Sequence, residues 1–383
     1  MQVPTRSHGL DTLRAAAIVL VFAYHYQGFV SDKPTFGFLS DIGWVGVDLF
    51  FALSGYLIGN QIFAALRGGG AFSLKLFYAR RMLRTLPNYF VVLALFFLWP
   101  ALQTSKPMPP LWKFLTFTQN YLLEPGSAFS HAWSLCIEEQ FYMVLPVLAL
   151  GCAALRGSLR WAWVALAAVV VAGVALRANL WSSYVDGAAN VGFVYHKYIY
   201  YSSFCRLDEL VAGVALALLK NYHAPVWQRL CAHGNAMLAL GLALTALTFY
   251  LLLQDSRGFA VTLYGYPMLA MSFSALIVAA VSETSWLRVW RVPGAASLAL
   301  WSYAIYLTHK GLFKLVTDML TERAIPTDTW QVALGLSLGS IVLGFVLFRL
   351  VETPFMQLRA RLVPSNLAPR SQPGEGAAMG SLQ

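Results

Sequence analysis

The chain has 383 residues, 58% of them hydrophobic and only 11% charged, with a formal net charge of +10. Soluble domains carry about 25% charged residues. This composition, with a mean hydropathy of +0.60, therefore excludes a soluble globular enzyme and predicts an all-α, polytopic transmembrane helix bundle. The basic excess calls for no nucleic-acid partner, because lysines and arginines gather in alternate connections between apolar runs.

Ten spans of about twenty residues are predicted, at 11–30, 43–64, 85–101, 132–154, 161–180, 198–219, 235–253, 259–281, 295–316 and 329–350. The first run has no small-residue cleavage site behind it and is read as a retained span. It holds Arg14 and His25, eleven residues apart in LDTLRAAAIVLVFAYHY. Eleven steps of about 100° bring both side chains to one helix face, separated along the axis by roughly 16 Å. An arginine near the membrane surface and a histidine deeper down are expensive unless used. The functional reading has Arg14 hold an anion while His25 does proton chemistry. The structural reading is a snorkelling arginine and a histidine bonded to a neighbouring helix.

Next comes GWVGVDLFFALSGYLIG, residues 43–59, where Asp48, Ser54 and four glycines interrupt an apolar run. Glycines let helices approach, and Asp48 then needs a partner in the bundle. The following connection, FYARRMLRTLPNYF, places Arg81 and Arg84 one turn apart with Arg80 beside them. Arginine forks match phosphate geometry, and three exceed what orientation requires; the alternative is an ordinary positive-inside cluster. In HAWSLCIEEQFYMVLP, Glu138 and Glu139 follow His131 and Ser134. Adjacent carboxylates diverge by about 100°. One is expected to face the bundle cavity and orient a histidine, with Glu138 favoured, and the other to pair elsewhere; Arg206 would be a structural partner. Cys136, Cys152, Cys205 and Cys231 lie in or beside apolar stretches without metal-ligand spacing, so no metal site is predicted.

Arg67, Lys75, Arg80, Arg81, Arg84, Arg156, Arg160, Lys220, Arg229, Arg288, Arg291 and the tail arginines 359, 361 and 370 fall on one side. The opposite connections hold Lys33, Lys106, Lys113, Lys197, Arg257 and Arg323. Both termini are therefore expected in the cytoplasm. Residues 1–358 read as one transmembrane domain, and 359–383 as a basic tail that becomes rich in Gly, Pro, Ser and Ala and is predicted to be disordered. No internal repeat is evident.

These segments together resemble the acyltransferase-3 family of integral membrane O-acyltransferases, from about residue 8 to about residue 358. LDTLRAAAIVLVFAYHY resembles its opening helix, GVDLFFALSGYLI and RRMLRTLP its next signatures, and HAWSLCIEEQFYMVLP its WSL-x-x-EEQFY segment. SYAIYLTHKGL, with Ser302, Tyr303, Tyr306 and His309, is similar to its SY-x-x-YL-x-H helix, and VETPF to its closing E-x-P-F. Members take an acyl group, often acetyl, from cytoplasmic acyl-coenzyme A to a hydroxyl of a carbohydrate, lipid-linked glycan or other acceptor, often across the membrane. Some carry an SGNH-type hydrolase domain after the membrane part; none is expected here, since the chain stops shortly after the tenth span.

The resemblance implies acyl-CoA, acetyl-CoA above all, as co-substrate, no permanently bound cofactor, and lipids as surroundings in a bacterial cytoplasmic membrane. The pantetheine arm is about as long as the 16 Å from Arg14 to His25. Arg14 with Arg80, Arg81 and Arg84 would hold the phosphates, and His25 would act as general base, preferred here, or as transient acyl carrier. Glu138 or Glu139 would orient the imidazole. Asp48, Ser302, Tyr306 and His309 would support the acceptor or the transition state. The rival reading is an exporter of a glycan or small anion. It fits the intramembrane charges but neither the missing repeat nor the one-sided arginines.

Overall fold

A computed structural model describes residues 7–68, 72–154 and 158–364. Arg156, Arg370 and the tail from 365 onward lie outside the described residues. Eleven helices carry the architecture: α1 (His8–Tyr26), α2 (Val45–Arg67), α3 (Leu74–Leu98), α4 (Trp133–Ala154), α5 (Leu159–Leu180), α6 (Asp208–Tyr222), α7 (Gly234–Gln254), α8 (Phe259–Val281), α9 (Ala295–Glu322), α10 (Trp330–Leu347) and α11 (Thr353–Leu362). No strand occurs among the described residues.

Eight helical stretches among the described residues are long and apolar enough to cross a membrane, against the ten spans expected. Two differ for physical reasons. The ninth, α9, has 28 residues, but His309, Lys310, Lys314, Asp318 and Glu322 make its second half too polar to read as an apolar run. The sixth is broken by a π-helical turn at His196–Tyr200 and a 3-10 turn at Ser203–Cys205, leaving α6 with 15 residues. That is about 22 Å of helix, short of a hydrocarbon core of about 30 Å. The break comes just before Arg206 and Asp208, whose side chains turn inward to buried partners.

The third helix begins eleven residues before its predicted span. Ser73 caps it, its hydroxyl accepting from the Leu76 amide at 3.3 Å, and the helix runs on through Pro87. Arg80, Arg81 and Arg84 are thus helical residues, not connection residues.

The centre of the bundle is α1, packed against α9, α2 and α8, while α2 lies against α6. A Cβ on Gly55 would fall 2.1 Å from the Leu210 carbonyl oxygen, and one on Gly213 2.3 Å from that of Ala52. Only glycine permits this α2–α6 approach, the contact that small residues provide in membranes. In contrast, α5 buries only Gly173 and Arg177, and its remaining apolar surface suits lipid.

The loops predicted on the arginine-poor side do meet at one end. Lys33 bonds Asp328 at 2.5 Å, the Lys106 ammonium lies 5.2 Å over the Phe193 ring, and Arg257 lies against Gly192. At the opposite end Arg80 donates to the Val363 carbonyl oxygen at 2.5 Å, tying α3 to the segment after α11.

Candidate active site

Two cavities enter the bundle from these two ends. The first, of about 460 Å³, opens at the arginine-rich end. Arg14 of α1, Arg80, Arg81 and Arg84 of α3, and Arg359 of α11 line it together with Glu138, Glu139 and Glu352. Glu138 is held by two donors, Ser54 Oγ at 3.2 Å and Tyr142 Oη at 2.8 Å. The Arg81 guanidinium lies 3.8 Å over the Tyr142 ring, and its Nε is buried without a hydrogen-bond partner among the described residues. Glu352 accepts from Asn88 Nδ2 at 2.8 Å. Among the described residues, Arg14, Arg81 and Arg84 form no ion pair. Cationic forks on two helices therefore face one hollow with hydrogen-bonding capacity to spare, which suits a polyanionic ligand.

The second cavity, of about 350 Å³, opens at the other end. Tyr24, Phe29, Trp44, Trp133, Phe193, Tyr200 and Tyr201 give it aromatic walls, Arg257 and Asn190 stand among its polar groups, and His25 and His131 also line it. Beneath, His25 Nδ1 lies 2.7 Å from His309 Nε2 with the rings nearly parallel at 11°. His131 Nε2 donates to the Leu307 carbonyl oxygen at 3.1 Å. Aromatic faces and a half-buried imidazole suit a polar, ring-bearing ligand.

Between the cavities stands a thin partition. Val47 lines both, Ser134 and Tyr306 line the first, and His131 and Trp133 line the second. Tyr306 Oη donates to the His131 carbonyl oxygen at 2.5 Å, so the hydroxyl of Ser134, 2.6 Å away, is the donor to Tyr306.

This placement revises several expectations. Neither glutamate orients His25: both line the arginine cavity, and His309 occupies the place expected of a carboxylate. Asp48 lines neither cavity, being fully buried and paired with Arg206 at 2.5 Å. Arg206 is consequently not the partner of a glutamate on α4. The proton of Tyr306 is committed to a backbone carbonyl rather than free for an oxyanion, and Ser302 donates to Ala299 O of its own helix at 2.9 Å. Arg14 and His25 share a helix but serve different cavities. Sequence reasoning missed Arg359, whose signal was only its basic helix after VETPF, and His196, which lines the second cavity from a π-helical turn. No spacing pattern announced either.

A family model described as an acyltransferase domain matches residues 7–349. The chain is 27% identical over 368 residues to the peptidoglycan O-acetyltransferase OatA of Listeria monocytogenes, covering 90% of this chain and 55% of that protein. A Bacillus subtilis protein, YrhL, named provisionally as a peptidoglycan O-acetyltransferase, is 27% identical, covering 90% of this chain and 54% of its own length. A Staphylococcus aureus protein with the provisional name of O-acetyltransferase is 25% identical over 375 residues, covering 91% of this chain and 57% of its own. The chain thus spans a little over half the length of these curated relatives. No solved structure matches it.

Proposed function

The chain belongs to the acyltransferase-3 family, and from that premise we propose that it is a membrane O-acyltransferase. It carries an acyl group, acetyl by analogy with its relatives' names, from acyl-CoA to a hydroxyl of a carbohydrate acceptor. The observation that carries this reading is the pair of opposed cavities, with arginines that form no ion pair among the described residues in one and His25 in the other.

The arginine-rich end faces the cytoplasm by the positive-inside rule, in the inner membrane of a bacterium. Arg14, Arg81 and Arg84, with Arg80 and Arg359 beside them, hold the phosphates of coenzyme A. The pantetheine arm runs along α1 past Ser134 and Tyr306, over the roughly 16 Å that separates Arg14 from His25 along the helix axis. The acceptor enters the aromatic cavity from the other side. His25 takes the proton from the acceptor hydroxyl as its oxygen attacks the thioester carbon, and returns it to the departing sulfur. Holding both reactants at the partition supplies the orientation that the uncatalysed reaction lacks.

The test is transfer of labelled acetyl from acetyl-CoA by purified protein in vesicles, with His25→Ala as the paired variant. Wild type should release coenzyme A in the presence of a glycan acceptor, and His25→Ala should abolish transfer while still binding acetyl-CoA. Turnover within a few-fold of wild type in the variant would remove His25 from the chemistry.

A further inference from the structure

The His25–His309 contact decides which nitrogen of His25 can react. His309 Nδ1 lies 3.0 Å from the carbonyl oxygen of Ile305, one turn earlier in α9. A carbonyl oxygen only accepts, so that nitrogen carries a hydrogen. In the neutral ring the other nitrogen, Nε2, is a bare lone pair, and it faces His25 Nδ1 at 2.7 Å. Two lone pairs do not meet at that distance, so His25 Nδ1 carries the hydrogen and donates. His25 Nε2 is left unprotonated, in a ring that lines the aromatic cavity.

The surroundings keep His309 neutral. Lys310 is its chain neighbour, buried, with Nζ bonded to Ser127 O at 2.9 Å and Ser130 Oγ at 2.6 Å and lying 4.3 Å over the Phe29 ring. Phe22 and Phe313 pack on the His309 ring itself. A cation on His309 would be buried without a counter-ion: among the described residues no carboxylate pairs with His25, His131, His309 or the neighbouring Lys310. Burying an uncompensated charge is strongly disfavoured.

We infer that His309 is the positioning residue of the site, a neutral imidazole in the place a carboxylate takes in a catalytic triad, which holds His25 as its Nδ1–H tautomer with Nε2 as the base. This rests on the reading of His25 given above. The step balances: the acceptor O–H bond breaks and its proton goes to His25 Nε2, a C–O bond forms as the C–S bond breaks, and the same proton passes to the thiolate sulfur. Throughout, His25 Nδ1–H stays bonded to His309 Nε2. Because no carboxylate among the described residues locks in the imidazolium, the proton is readily given back.

The tautomer is measurable without any turnover. Protein labelled with 15N-histidine in lipid nanodiscs, with His25→Ala to assign the signal, should show His25 protonated at Nδ1 and bare at Nε2. His309→Phe removes the acceptor, so the single-tautomer signal should be lost and transfer should fall by roughly 10²-fold, the scale of a general-base contribution. His309→Gln offers an amide oxygen in nearly the same place and should recover most of both. Acetyl-CoA binding in the arginine cavity should be unmoved in either variant. A wild-type His25 protonated at Nε2 would overturn the inference, as would full activity in His309→Phe or a Gln variant no better than the Phe one. If His309→Phe fails to fold, the wild-type spectrum and the Gln variant still decide. Retained turnover in His25→Ala would instead sink the proposed function while leaving the tautomer assignment standing.

Discussion

Arg177 and Arg206 differ from Arg14, Arg81 and Arg84 in one respect that matters more than depth. The first two are wholly buried, each within bonding distance of a carboxylate. Arg177 reaches Asp208 through both terminal nitrogens, at 2.6 and 3.1 Å, and donates to the Cys205 carbonyl oxygen at 2.7 Å. Arg206 pairs with Asp48 and lies 4.5 Å over the rings of both Tyr200 and Tyr266. The other three line a cavity without an ion pair among the described residues, although Glu138, Glu139 and Glu352 stand in the same walls. A buried arginine that has found its carboxylate is part of the fold. One held open beside carboxylates that are engaged with hydroxyls and an amide keeps its charge for a ligand.

The contrast can be broken most sharply at Arg206. Arg206→Ala should leave Asp48 buried and uncompensated at a cost of roughly 3–5 kcal/mol, seen as a large fall in melting temperature in detergent. Substituting Arg206→Met and Asp48→Leu together should restore most of it, and a single variant that melts like wild type would show the pair to be ornamental. Smaller, and of the opposite kind, are Arg81→Ala and Arg84→Ala. Each should weaken acyl-CoA binding by roughly 1.5–3 kcal/mol with melting almost unchanged, as titration calorimetry can measure. Unchanged affinity in both would reduce the cluster to a topology signal. Arg359→Ala removes a half-buried arginine at the cavity edge and should weaken the same binding by about 1 kcal/mol. Smallest is Lys33→Ala, which opens the exposed Lys33–Asp328 pair; melting should not move measurably, since exposed ion pairs are screened and add little.

Much of the helical frame was legible because long apolar runs need backbone hydrogen bonds satisfied internally. The predicted spans fail where that signal is local rather than global. Basic residues do not stop a helix, so α3 starts at Leu74 while its apolar stretch starts later. SSFCRLDEL does interrupt a helix, because Arg206 and Asp208 are drawn to partners on α2 and α5 that no local pattern reveals. In the site, shared helix face brought Arg14 and His25 to notice, but spacing along one helix says nothing about the walls opposite. Which cavity Glu138 enters depends on Ser54 of α2, and which group orients His25 depends on α9 crossing α1 at His309. Those are packing facts, written across 84 and 284 residues of separation.

The partition at Val47 has an electrical consequence. Potential falls where water is absent, so hollows entering from both faces crowd most of a membrane voltage into the short stretch between Tyr306 and His25 rather than spreading it over about 30 Å of hydrocarbon. A unit charge crossing the whole drop exchanges about 2.3 kcal/mol per 100 mV with the field. If, as proposed, His25 returns to sulfur the proton it took from oxygen, nothing charged is left on the far side, and the transferred fragment passes this steep field uncharged. Turnover would then be indifferent to the energised state of the cell. An enzyme that instead shed its proton outward would run against an interior-negative voltage, slowing as the membrane charges.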